Sequence, residues 1–329
     1  MPSMMRVFST ILLSLVLAGC NALNPLRKNE ISCQTMKADL PWGALSGLSS
    51  DTRRENRLYA VHDHNLSPPE ILVMELERTQ AHIIDSIPLI KAGQAAEYDL
   101  EGIARRQEDG FWLASEGKPG RKRPNLILRA NAQGQVQEEI PLPSGLSRNA
   151  VKAGLEGIAA WGSGTKERVA VVFQRSWKDD PRGQVKIGQY WPATGQWEFY
   201  RYPLSARKGL GLSSISFLND GSALVLERDN RPFLKARTKQ LYRIFLPTTP
   251  GQTEGHYPLL NKQPFLDILS LYPMVCGNNG KLEGMTTTPD GKIYLVADDD
   301  GDGSARLLHM KIPLTRILHQ NAQNVGFLP

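Results

Sequence analysis

Leu100-Glu101-Gly102-Ile103-Ala104 is one of five related phrases in this chain, and their spacing decides the fold. The others are Leu45-Ser46-Gly47-Leu48-Ser49, Leu155-Glu156-Gly157-Ile158-Ala159, Leu212-Ser213-Ser214-Ile215-Ser216 and Leu282-Glu283-Gly284-Met285-Thr286. Their third positions fall at 47, 102, 157, 214 and 284, so one unit of about 55 residues is repeated, with a longer last step. A period of this length marks a copied supersecondary unit. Each phrase is followed by a short apolar run: Leu58-Tyr59-Ala60-Val61, Phe111-Trp112-Leu113-Ala114, Val169-Ala170-Val171-Val172-Phe173, Ala223-Leu224-Val225-Leu226 and Ile293-Tyr294-Leu295-Val296. Such runs read as strands buried on both faces. A third strand follows in every unit and a fourth in most, with turn signals such as Asn219-Asp220-Gly221 and Pro289-Asp290-Gly291 between them.

The expected class is therefore all-β, a β-propeller of five or six four-stranded blades. A sixth blade has room only in the step from 214 to 284, where Leu259 to Leu271 shows no strand-turn rhythm. The last unit lacks an outer strand after Met310, and the segment from Ile31 to Met36 is expected to supply it, closing the ring and covering two sheet edges. The whole of 31–329 then forms one domain.

The first thirty residues read as targeting rather than fold. Arg6 precedes an apolar run through Leu17 that is too short for a membrane span, and the run ends in Leu17-Ala18-Gly19-Cys20. This resembles a bacterial lipoprotein signal. The resemblance implies a signal peptide over 1–19, acylation of Cys20 and an anchor linker over 20–30; the alternative is an ordinary secretory signal with an incidental cysteine. Asn21 in place of Asp points to the periplasmic side of the outer membrane. The remaining cysteines, Cys33 and Cys276, make an even pair, which in an oxidising compartment is expected to form a disulfide. A net charge of +6 is mild. Neither it nor the basic run Lys118, Arg121, Lys122 and Arg123, read as a solvated hairpin, supports nucleic-acid binding. The six tryptophans read as packing, with Trp177 and Trp191 left open as the lining of a sugar-like ligand.

Chemistry is expected where the repeat places acids. Glu101, Glu156 and Glu283 share one position near the innermost strand, and three inward carboxylates need a cation, a basic partner or a shared proton. A repeated glutamate also serves as polar glue between neighbouring units, so both readings stand. A second set, Asp63, Glu116, Glu227 and Asp298, ends the second strands, with Arg228 and Arg175 close by in sequence. Asp298 and Asp300 also belong to an Asp-x-Asp-x-Asp-Gly stretch that is half of a calcium loop, but its twelfth position is His309. The chain has no Gly-x-Ser-x-Gly elbow, P-loop, His-Glu-x-x-His or dinucleotide fingerprint.

Asp99-Leu100-Glu101-Gly102-Ile103-Ala104, Gly154 through Ala159, Leu224-Val225-Leu226-Glu227-Arg228, Lys281 through Met285 and Leu295-Val296-Ala297-Asp298-Asp299 together resemble the phytase-like domain, the family with esterase-like activity of phytase. The match in order and spacing runs from about Ser46 to Met310. The chain departs from the family at Asp299, where Asn is usual, and at Ser213-Ser214, which stand for Glu-Gly. The resemblance implies a secreted or periplasmic propeller that hydrolyses a small phosphate or carboxylic ester with metal assistance. Glu101, Glu156, Glu227, Arg228 and Glu283 are then the catalytic candidates. Asp63, Glu101, Glu156, Glu283, Asp298 and Asp300 are the candidate ligands of a divalent cation, Ca²⁺ by their all-oxygen chemistry, with Arg228 and Arg175 neutralising developing negative charge. The alternative is a non-catalytic cell-envelope propeller that binds a partner protein or glycan.

Overall fold

The computed structural model describes residues 30–62, 68–118, 123–251, 257–277, 280–298 and 305–311, with the backbone alone at Asp298. After β1 (Ile31–Ala38), the first repeat gives β2 (Leu45–Ser50), β3 (Arg57–His62), β4 (Glu70–Leu76) and β5 (Gln80–Pro88), followed by the two-residue strands β6 (Ile90–Lys91) and β7 (Gln94–Ala95). The second gives β8 (Leu100–Arg105), β9 (Phe111–Ser115), β10 (Leu126–Ala130) and β11 (Val136–Pro141), then a single helical turn, α1 (Ser144–Ser147). The third gives β12 (Leu155–Trp161), β13 (Arg168–Phe173), β14 (Gln184–Trp191) and β15 (Gln196–Pro203). The fourth gives β16 (Leu210–Phe217), β17 (Ala223–Asp229), β18 (Lys239–Ile244) and β19 (Lys262–Asp267). Helix α2 (Ile268–Cys276) leads into the fifth, β20 (Lys281–Thr287), β21 (Lys292–Asp298) and β22 (Arg306–Lys311).

Within each repeat the strands are antiparallel neighbours in chain order. The long step from 214 to 284 holds β19 and α2, and no sixth four-stranded group occurs among the described residues. The N-terminal strand does what the missing outer strand required. β1 pairs antiparallel with β22 (Cys33 opposite Leu308) and parallel with β5 (Met36 opposite Ala81), joining first and last repeats into one eight-stranded sheet. Two edges that would otherwise template aggregation are thereby paired. A disulfide between Cys33 and Cys276, with Cα atoms 5.3 Å apart, ties β1 to the end of α2.

The first strands of the five repeats contact one another in cyclic order: β2 with β8, β8 with β12, β12 with β16, β16 with β20, and β20 with β2. The third position of the phrase explains how they come so close. A Cβ on Gly102 would lie 2.5 Å from the Glu156 carbonyl oxygen, one on Gly157 2.5 Å from Ser214 Cα, and one on Gly47 2.9 Å from Gly102 Cα. Glycine is thus demanded by the next strand's backbone. The fourth repeat has Ser214 instead, and its hydroxyl uses the gap: it accepts from Met285 N at 3.0 Å and donates to Met285 O at 3.3 Å.

The fourth positions, Leu48, Ile103, Ile158, Ile215 and Met285, are all buried. Between the sheets the apolar side chains form four clusters; the largest is built on Trp112, Phe173, Trp177 and Tyr202. Trp177 and Trp191 are both buried, at 2% and 5% exposure, so they pack the core and do not line a ligand surface. Lys118 and Arg123 form an isolated antiparallel bridge and both pair with the buried Asp99, at 3.1 and 3.4 Å. Arg121 and Lys122 lie outside the described residues. No helix among the described residues is long and apolar enough to cross a membrane.

Candidate functional site

The second position of the phrase carries the chemistry, and a backbone irregularity aims it. In every first strand the pairing with the second strand slips at this point: between Leu45 and Gly47, Leu100 and Gly102, Leu155 and Ile158, Leu212 and Ser214, and Leu282 and Gly284. A β-bulge leaves its extra residue out of the ladder and redirects its side chain. Ser46, Glu101, Glu156 and Glu283 are such residues, and all four line one cavity of about 290 Å³. The three glutamates expected to converge therefore share one polar cup.

The second strands contribute the rest of the cup. Ser115, Phe173 and Glu227 stand opposite the phrase leucines Leu100, Leu155 and Leu212, and the next residues are Glu116, Gln174 and Arg228, which line the cup. In the sequence Glu227, like Glu116, ends the apolar run of its repeat. It is one residue out of register, and a one-residue step in a strand changes face. Glu227 accordingly points away from the cup and is fully buried, where Lys262 Nζ binds its Oε2 at 2.5 Å and Ser205 N donates to its Oε1 at 2.9 Å. Lys281, beside Glu283, adds a second cation to the cup lining, which sequence reasoning had not singled out.

Inside the cup the acids are partnered. Arg228, only 4% exposed, forms an ion pair with Glu283 and donates from Nη1 to Asn230 Oδ1 at 2.8 Å. Gln174 Nε2 donates to the buried Glu156. Glu116 Oε1 accepts from Gly154 N at 2.7 Å, linking the second repeat to the third. Arg175 does not line the cup: its Nη1 donates to the carbonyls of Gly209 and Leu210 at 2.7 and 2.8 Å. Burial and the neighbouring Arg228 pull its pKa below the ordinary guanidinium value. Behind Arg228, Lys239 donates to Asp229 O at 2.6 Å, and burial, aided by Arg228, pulls its pKa down to about 8.

Asp63 and Asp300 lie outside the described residues, as does Cys20, and the side chain of Asp298 is not described. Among the described residues, no three His, Cys, Asp or Glu side chains form a group that could hold a metal ion. Glu101, Glu156 and Glu283 share a cavity, but Arg228 already engages Glu283 and Gln174 engages Glu156. Among the described residues the cup is of mixed charge, with one carboxylate, Glu283, paired to a cation and another, Glu156, held by an amide donor.

A second, wider cavity of about 540 Å³ is lined by the later residues of the same strands, including Ser49, Ser50, Ser216, Thr286 and Thr287. Its hydroxyls are spent on inter-strand bonds: Ser50 N donates to Thr286 Oγ1 at 2.9 Å, Arg105 N to Ser49 Oγ at 2.8 Å, and Thr287 N to Ser216 Oγ at 3.0 Å.

No curated protein matches the sequence. Among solved structures, the chain is similar to a putative glycoside hydrolase from Parabacteroides distasonis (10% identity, TM-score 0.46, covering 83% of this chain and 88% of that one). It is similar to a member of the DUF4221 family from Bacteroides vulgatus (9%, TM-score 0.43, 85% and 95%). A third is regucalcin, a calcium-binding protein from Agrobacterium tumefaciens (15%, TM-score 0.41, 83% and 79%). The profile of the phytase-like family, described as esterase-like activity of phytase, matches residues 40–301, from the first repeat into the fifth, and the chain belongs to that family.

Proposed function

We propose that the five strand groups are the blades of a closed β-propeller, and that the cup around its axis hydrolyses a phosphate or carboxylic ester. The observation that carries this reading is the meeting of Glu101, Glu116, Glu156 and Glu283 with Arg228 and Lys281 in one small polar cavity. Arg228 and Lys281 supply positive charge for an ester oxygen as it becomes anionic. Glu156, oriented by Gln174, is placed to take a proton from water, and Glu101 or Glu116 to return one to the leaving oxygen. Family membership supports the reaction class. No step is assigned to a cation.

The test is turnover of p-nitrophenyl phosphate and p-nitrophenyl acetate by the full chain and by Glu156→Gln. The reading expects measurable hydrolysis of at least one substrate and a loss of about 100-fold in the variant, a typical worth for a positioned acid or base. Turnover undiminished by Glu156→Gln overturns the assignment. A chelator arm tests the cation separately: activity restored by Ca²⁺ after EDTA would return a metal to the mechanism.

A second reading has its own observation. Glu116 and Glu283 each hold a neighbouring repeat, through Gly154 N and Arg228. That is polar glue, and it suits a cell-envelope module that binds a partner protein or glycan without turning it over. Absence of hydrolysis with either substrate favours it.

The placement of the protein is proposed with the function. Acylation of Cys20 anchors it on the periplasmic side of the outer membrane, and the Cys33–Cys276 disulfide suits that oxidising compartment. Labelled palmitate incorporated by the wild-type chain and lost in Cys20→Ala is the expected result.

A further inference from the structure

Between the third and fourth repeats, away from the cup, a serine, a tyrosine and a lysine meet. Ser205 follows β15 and opens onto the exposed turn of Ala206, Arg207 and Lys208. Its Oγ lies 2.8 Å from Tyr242 Oη and 3.1 Å from Lys262 Nζ. Lys262 Nζ also sits 4.0 Å from the centre of the Tyr242 ring and 4.8 Å from that of Tyr202. Behind them the buried Glu227 fixes both ends of the cluster, binding Lys262 Nζ and accepting from Ser205 N. Three elements from distant parts of the chain are needed to build it: the turn after β15, the middle of β18 and the start of β19. Ser205, Tyr242 and Lys262 are each half-buried, and Ser205 adjoins the exposed turn.

A hydroxyl held between a phenol and an ammonium has what an activated nucleophile requires: a route for its proton and a cation beside the oxygen that gains charge. We infer that Ser205, with Tyr242 and Lys262, is a second reactive centre, one that is acylated by activated carboxylic esters. In the step proposed, Ser205 Oγ bonds to the ester carbonyl carbon and the bond to the alkoxide leaving group breaks. The Ser205 proton passes to Tyr242 Oη as Tyr242 gives its own proton to the leaving alkoxide, which departs as the alcohol. Water then attacks the acyl-serine, the carboxylic acid is released and the hydroxyl is restored. Lys262 stays an ammonium throughout, stabilising negative charge on the two oxygens. Burial draws its pKa below the ordinary lysine value, while the Glu227 hydrogen bond and charge oppose that shift.

The experiment is covalent labelling of the full chain with a fluorophosphonate probe, followed by peptide mass spectrometry, alongside the burst of p-nitrophenol released from p-nitrophenyl acetate. The expected result is a single label on the peptide that carries Ser205, absent in Ser205→Ala and slowed at least tenfold in Tyr242→Phe. Lys262→Met strips the partner from a buried carboxylate and can fail to fold. Lys262→Arg, which keeps the charge but displaces it, is the companion variant and is expected to slow labelling at least tenfold while circular dichroism stays unchanged. No label, or a label that persists in Ser205→Ala, overturns the inference. Hydrolysis in the cup leaves no mark on Ser205, so turnover without labelling sinks this centre alone, and labelling without steady turnover supports it even where the cup reading fails.

Discussion

Arg228 stands where the second strands of the second and third repeats lead to Glu116 and Gln174, and together with Lys281 it makes the cup one of mixed charge. Its guanidinium engages Glu283, and its Nε has no hydrogen-bond partner among the described residues. Arg228→Met should therefore lower kcat/KM for a p-nitrophenyl ester by about 100-fold, the worth of one donor aimed at developing negative charge. Thermal unfolding run in parallel separates that effect from the cost of stranding Glu283. Lys239, buried behind Arg228, offers a pH test. Its folded-state pKa of about 8 lies below the ordinary 10.5, so between those values the unfolded chain holds the proton more tightly. Stability then rises with pH across that window as the penalty of burying the ammonium is relieved. Urea unfolding should show this rise in the wild type relative to Lys239→Met, and parallel curves for the two would refute it. Gly102 is a packing test: in Gly102→Ala the new Cβ meets the Glu156 carbonyl at 2.5 Å. Overpacking of this kind should cost about 1–3 kcal/mol, read from the urea midpoint.

At the level of elements, the repeat was legible because it is written in residues that the architecture cannot exchange. The recurring glycine is read by the adjacent strand, and the apolar run after it by burial on both faces. The need for β1 was legible as well, since a last unit with three strands leaves an edge. The bulge at the second position was not legible, because no residue type enforces it; it emerges only when the pairing slips in all five repeats. The register of β17 was lost for a related reason. Leu226-Glu227-Arg228 reads like the acid-ended strands beside it, yet the bulge puts Glu227 opposite Leu212 and sends Arg228 to the cup. Helix α2, which carries Pro273 inside it, is capped by Asp267 through a bond from Leu269 N at 3.0 Å, and no element was expected there from the sequence. The disulfide beyond it spans 243 residues of sequence and clamps the strand that joins first and last repeats. Replacing Cys33 and Cys276 by serine should lower unfolding free energy by about 2–5 kcal/mol, measured against the oxidised wild type. No change in the unfolding midpoint would show that β1 is held by pairing alone.

For the molecule as a whole, five copies of one unit bring their first strands into cyclic contact, and four of their bulges bring side chains from residues 46 to 283 into a single cavity. No local stretch could build that site, which is why spacing along the chain foretold its members better than any short motif did. The central claim is that this cup receives the ester's anionic group, and a crystal structure of the full chain soaked with orthovanadate, a mimic of a phosphate ester in reaction, tests it most directly. The account predicts vanadate density in the cup within hydrogen-bond distance of Arg228 and Lys281. A crystal whose vanadate lies only in the hydroxyl-lined cavity, or on the exterior with the cup empty, would contradict it.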